Sequence, residues 1–229
     1  MAAMAKKGRS VPILPRLRSL TPATLLRFDL SQGIPIALRT LSRELGRRRT
    51  ARLIWAIVVR SRTADPVAAL PASSGARAAM TRSQLRSVLL LFDALKLDLG
   101  LDHARALAVL RVVMRESGAQ FIAYFQPSIH ALAWRSHPAE ARLLYASRLV
   151  SRLFNATTID VRADNGSLSF DVVSCAFVDA LRILGRKDLA PLFCEVDEAF
   201  AKRAGSELTL VRSGTLAEGA KCCDFRFTF

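Results

Sequence analysis

Apolar residues recur along this chain with two different periods, and the change of period divides it. Up to about residue 150 they return every three or four positions, as on one face of a helix; beyond residue 157, runs with a period of two appear between helical ones. Thr21-Pro22 suits a helix start with proline in the first turn, followed by Leu25, Leu26 and Phe28. Ile36 to Leu45 and Arg52 to Arg60 read as amphipathic helices, separated by Gly46 and the Arg47-Arg48-Arg49 triplet. Thr81 or Ser83 is placed to cap a further helix, whose face carries Leu85, Val88, Leu89, Phe92 and Leu95. After Leu99-Gly100, Asp102 caps a helix with Leu107, Leu110 and Met114, and the spacing ends it near Gly118. Pro127 interrupts the stretch from Ala119 to Trp134, and Glu140 to Phe154 forms a last helix before the period changes.

Thr157–Arg162 and Ser167–Val173 flank Asp164-Asn165-Gly166, and Asn and Gly tolerate the positive φ that a tight hairpin turn needs. From Ser174 the period turns helical, with Phe177, Leu181 and Leu184 on one side and Gly185 at the helix end. Asp188 is placed to cap a second helix, with Pro191 in its first turn and Leu192, Phe193, Val196 and Phe200 on its apolar side. Glu207–Val211 reads as a strand, Ser213-Gly214 as a break and Cys222–Phe229 as a terminal strand. In that strand Cys223, Phe225, Phe227 and Phe229 share one face, while Cys222, Asp224, Arg226 and Thr228 share the other. The predicted class is α+β: a mostly helical N-terminal half and a C-terminal antiparallel sheet, in the order ββααββ, covered by helices.

Residues 63–79, rich in Ala, Pro and Ser, read as a linker. It separates a basic helical extension, 1–62, from an α+β domain, 80–229, whose cysteine motifs lie in 157–229. Charge sharpens that division. The chain carries +15 over 229 residues, and fourteen Lys and Arg against only Asp29 and Glu44 place about +12 in residues 1–62. Such an extension reads as a solvated or weakly anion-binding surface, with nucleic acid or acidic lipid as the minority alternative. No zinc-finger spacing or aromatic-interleaved basic strand accompanies it, so sequence-specific DNA recognition is not expected. The apolar run Leu53–Val59 is far too short to span a bilayer. Four cysteines without framework-like spacing point to a reduced, cytoplasmic protein, although scarce acids and common Arg and Ser near the start also fit a transit peptide.

All four cysteines, Cys175, Cys194, Cys222 and Cys223, fall in the last third. Cys194 and Asp197 are three apart and therefore neighbours on one helix face. If that face meets the sheet, Cys194, Asp197 and Cys223 converge, and Cys175 can join them. Tyr124 and His130 are candidates to line a pocket, with core packing and an exposed histidine as the plainer reading.

The ordered set Cys175-x-Phe177, Leu184-Gly185, Leu189-Ala-Pro191-Leu-Phe193-Cys194-x-x-Asp197, Arg212-x-Gly-Thr215-Leu-Ala-x-Gly219 and Cys223-Asp224-Phe225 resembles the L-2-amino-thiazoline-4-carboxylic acid hydrolase family. The resemblance covers roughly Thr157 to the C-terminus. It implies hydrolytic opening of a cyclic isothiourea to N-carbamoyl-cysteine, and so a hydrolase acting on non-peptide C–N bonds of a small cyclic C=N compound. Three mechanisms stay open. Cys194 is the first choice as nucleophile, its Cys-x-x-Asp motif matching the family. Alternatively Asp197 or Asp224 acts as base on water, or the cysteines with Asp197 or His130 hold a zinc-like metal. No CxxC hook accompanies the cysteines, so no metal or other cofactor is assigned.

The candidate catalytic residues are thus Cys194, Asp197 and Cys223. The candidate substrate-binding residues are Cys175, Arg212, Thr215, Tyr124 and His130, with Arg212 or Arg226 suited to a substrate carboxylate. The expected partner is a small molecule, and a homo-oligomer stays open. A sensor that binds without turnover, or a basic nucleic-acid module, is the alternative class.

Overall fold

The computed structural model describes residues 13–72, 75–126, 129–152, 156–205 and 208–229. Thr21 starts the first helix: its hydroxyl accepts the Thr24 N–H, and the Thr24 hydroxyl accepts the Thr21 N–H at 2.9 Å, a reciprocal cap. This helix, α1 (Pro22–Phe28), passes through a π-helical turn at Asp29–Gly33 into α2 (Ile34–Leu45). Gly46, at φ +80°, turns the chain into α3 (Arg47–Thr63).

The next helix, α4 (Ala76–Asp93), begins earlier than the expected caps, at Gly75. Thr81 does not cap it but is buried within it, because the apolar face already needs the preceding turn. A π-helical turn at Ala94–Asp98 ends α4, and Arg60 of α3 pairs with Asp98 there. Asp102 does cap α5 (His103–Phe125), accepting the Arg105 N–H at 2.8 Å. This helix runs straight through Gly118, where the sequence predicted its end. The reason is steric: a Cβ on Gly118 would lie 2.7 Å from Cγ1 of Val196, so the glycine lets another helix approach. Two shorter helices follow, α6 (Ala131–Arg135) and α7 (Ala139–Val150); Pro127 lies outside the described residues.

The C-terminal half follows the predicted ββααββ order. The hairpin of β1 (Ala156–Ala163) and β2 (Ser167–Cys175) leads into α8 (Ala176–Ile183) and α9 (Ala190–Arg203). Asp188 sits in a 3-10 turn, Lys187–Leu189, rather than capping α9; its carboxylate pairs with Arg186 and His103. Then come β3 (Thr209–Val211) and β4 (Cys223–Thr228). The sheet has the order β1-β2-β4-β3, antiparallel throughout, with Val172 opposite Cys223 and Phe170 opposite Phe225. The class is α+β.

Two cores hold these layers. In the first, Leu41 and Leu53 of the early helices pack with Leu85, Leu110, Leu181 and Leu192. In the second, Trp134, Ala146 and Val150 pack against Leu168, Phe170, Val172, Cys223 and Phe225 on the inner sheet face. The Trp134 ring nitrogen donates to the Asp164 carbonyl at 2.7 Å, which ties α6 to the hairpin turn. Cys175 and Leu216 touch both cores.

Candidate active site

Strand alternation turns Cys223 inward, leaving it 5% exposed, while the three-residue spacing on α9 presents Cys194 and Asp197 on one side. These meet at one end of the gap between α9 and the sheet. The Cys194 thiol hydrogen-bonds the Cys223 sulfur. A second donor reaches that sulfur from the backbone: the Leu216 N–H, at 3.2 Å. Leu216 opens a 3-10 turn, Leu216–Glu218, that Thr215 holds in place. The Thr215 hydroxyl accepts the Glu218 N–H at 3.3 Å and donates to the Glu218 carboxylate at 2.8 Å, and Gly219 closes the turn at φ +92°.

Arg212 lies beside the thiols with only 5% of its side chain exposed. It donates to the Asp197 carboxylate at 3.3 Å, the Glu198 carboxylate at 3.0 Å and the Cys194 carbonyl at 2.8 Å. Its guanidinium also stands 5.0 Å from the centre of the Phe225 ring. Two carboxylates therefore compensate one buried cation, as its burial requires.

This arrangement separates the two thiols chemically. Donation from the Cys194 thiol, against the opposing effect of burial, lowers the Cys223 thiol to about 7; the Leu216 N–H and the Arg212 charge add to it. Cys194 is pushed well above the ordinary thiol range, because it serves as donor to Cys223, is buried, and lies near Asp197. Burial also raises Cys175, although its sulfur faces the Val178 and Phe177 N–H groups at the start of α8. Asp197 is raised to about 6 by burial, which the Arg212 charge only partly offsets. About a third of the Asp197 side chain remains open, towards a cavity.

That cavity, of about 660 Å³, lies between the helices and the inner sheet face. Cys175, Cys194, Asp197, Arg212 and Cys223 all line it, together with Phe177, Phe193, Phe225 and Phe227. Thr215 does not line it; it acts through the turn that carries Leu216. Tyr124 and His130 do not line it either. Tyr124 packs against Phe28 and Phe125 beneath the Arg18 guanidinium, and His130 is exposed ahead of α6. Asp224 lies on the outer sheet face, accepting from the Ser213 N–H and hydroxyl, both at 2.9 Å, and from the Gly214 N–H. Those bonds outweigh burial and hold its carboxyl below the usual range. Arg226 pairs with Asp171 at 2.7 Å.

Sequence reasoning missed two contributors. The Leu216 amide is a backbone group inside the Thr215-Leu-Ala-x-Gly219 motif, and the motif was its only signal. The other is the far wall, built from Phe28, Ile34 and Ala37 of α1 and α2, which nothing in their helical period distinguishes from ordinary core. Among the described residues, His, Cys, Asp and Glu side chains form no group of three or more placed to hold a metal. No helix of the described residues is long and apolar enough to cross a membrane.

The model of the L-2-amino-thiazoline-4-carboxylic acid hydrolase family matches residues 80–227. No curated protein and no solved structure matches the chain.

Proposed function

We propose that this chain, which belongs to the L-2-amino-thiazoline-4-carboxylic acid hydrolase family, opens a cyclic isothiourea or amidine bearing a carboxylate, with Cys223 as nucleophile. The observation that carries this reading is the convergence of two donors, the Cys194 thiol and the Leu216 N–H, on the one sulfur whose pKa falls to about 7. A thiolate near neutrality is the reactive form of cysteine. This moves the nucleophile from Cys194, favoured on the motif, to its partner. Cys194 is then the proton donor.

In the proposed cycle on a cyclic isothiourea, the Cys223 thiolate adds to the carbon between the ring sulfur and the ring nitrogen. The ring C–S bond breaks, and the departing sulfur takes the proton that Cys194 holds. The enzyme now carries an S-linked isothiourea on Cys223. Water, deprotonated by Asp197, adds to the same carbon, and the Cys223 thiolate leaves; the proton passes from Asp197 back to Cys194. The product is an N-carbamoyl amino acid that keeps both nitrogens, so the bond opened is C–S rather than the C–N bond expected from the sequence. Arg212 supplies the positive charge for the substrate carboxylate and keeps Asp197 oriented.

Incubation with 2-amino-thiazoline-4-carboxylate and quenching in acid, followed by intact mass measurement, tests this. A covalent adduct that maps to Cys223, with turnover lost in Cys223→Ala, is the expected result. Turnover that persists in Cys223→Ala excludes the nucleophile. Binding of the ring without release of a thiol would instead favour a sensor.

A further inference from the structure

The length of the cavity says more about its ligand than the reactive end does. Cys223, Phe225 and Phe227 all line it, and alternate residues of a strand stand about 7 Å apart, so its floor extends about 14 Å along β4. Opposite, α5 lines it from Met114 to Phe125, about 16 Å of helix. The sulfurs occupy one end of this slot. Cys223 stands opposite Val172, with Cys175 beyond it on β2, whereas Phe227 stands opposite Leu168 at the other end.

A five-membered ring with its carboxylate fills only the sulfur end. The volume, about 660 Å³, belongs to the class of about 300–1,000 Å³ that encloses drug-sized ligands. Away from the sulfurs the lining is mainly apolar, with Phe28, Phe121, Ile122, Phe125 and Phe227, and Asp29, Gln126 and Arg152 are among its polar members. A mainly apolar wall offers water few hydrogen-bond partners and gains dispersion contacts from an apolar group packed against it. Such a wall stabilises a ligand that is itself apolar.

We infer that the substrate is amphiphilic. Its cyclic C=N head and carboxylate meet Cys223 and Arg212, and an apolar tail reaches about 7 Å further, along Phe225 to Phe227. The head rests on the hydrolase reading above; the tail rests on the slot alone.

The test uses the full chain and two sets of probes. In the first, straight-chain carboxylates from butanoate to dodecanoate are titrated calorimetrically below their micelle concentrations. Affinity should rise up to about fourfold per methylene and level off once the chain fills the slot. An affinity that does not change with chain length overturns the inference. Ile122→Trp and, separately, Ala37→Leu should move the levelling-off to shorter chains. If both fold with wild-type melting temperatures and leave the profile unchanged, the chains bind elsewhere and the inference falls. In the second set, 2-amino-thiazoline-4-carboxylate is compared with its N-octanoyl derivative, for which kcat/KM should be at least tenfold higher. Opening of the parent ring alone, with no chain-length dependence, removes the tail and leaves the hydrolase. Chain-length dependence with neither ring opened removes the hydrolase and leaves the slot.

Discussion

The Leu216 amide donates to the Cys223 sulfur at 3.2 Å, so a backbone group seven residues earlier in the chain helps to set the charge of the thiol at the head of β4. Arg212 adds positive charge beside the same sulfur, and Cys194 supplies the other hydrogen bond. These contacts give the ionisation of that thiol a defined direction.

If Cys223 attacks as thiolate, kcat/KM rises with pH through a limb near 7, the value to which its neighbours lower it. Cys194→Ala removes the strongest of the contacts behind that lowering. The limb should then move upward, towards the ordinary thiol range of about 8.5. A pH–rate profile of the two proteins checks this, and an unmoved limb would assign the ionisation to another group.

Thr215→Val deletes both bonds from the Thr215 hydroxyl to Glu218 and leaves the backbone bond from the Glu218 N–H to the Thr215 carbonyl. Loss of a cap of this kind costs about 1 kcal/mol. With the Leu216 N–H less firmly held, the same limb should shift upward by less than in Cys194→Ala. Denaturant melts together with the pH profile separate the two effects.

Gly118→Ala should be destabilising by about 1–3 kcal/mol, since overpacking a close helix contact forces side chains out of place. The added methyl meets Val196, so Val196→Ala in the same chain should restore most of the loss. Thermal denaturation of the single and double variants measures the coupling directly.

Asp197 binds its proton more tightly in the folded protein than in the unfolded chain, at about 6 against about 3.9. Folding therefore takes up a proton between these values, and this contribution to stability is complete below about 4 and lost as pH rises through 6. Asp197→Asn should flatten that part of the stability curve, as read from melting temperatures at pH 4 to 7.

A chain beginning near Ala79 should aggregate. Leu53 is fully buried and Leu41 nearly so, in the same core as Leu85 and Leu110, and α1 and α2 supply cavity walls. Removing them bares an apolar surface that an isolated domain does not tolerate. Solubility and a cooperative melt of the truncated chain would contradict this.

Local rules made the C-terminal fold legible. Asn165-Gly166 announces its hairpin, and the alternation from Cys223 to Phe229 sets which thiol turns inward: Cys223 is buried and Cys222 only partly so. The spacing of Cys194 and Asp197 likewise predicted a shared surface. What sequence hid is what depends on a partner element. Gly118 reads as a helix end until Val196 is seen against it, and Thr81 reads as a cap until its burial is seen. Tyr124 and His130 read as pocket residues from proximity along the chain, but helix direction and the break before α6 carry them away from the cavity. A backbone donor such as Leu216 leaves no side chain to recognise.

Phe28 and Cys223 wall the same cavity from positions separated by most of the sequence. Closing so large a loop is slow, because its entropy is lost before the contact rewards it. The site should therefore be among the later features to form during folding, as an expectation from this separation. Until β4 docks, Cys223 lacks the donors that lower its thiol, and a partly folded chain carries an ordinary thiol there. Both the burial of Cys223 and the lowering of its thiol are properties of the completed fold, so its rate of alkylation should change when β4 docks, and following that rate during refolding times the docking.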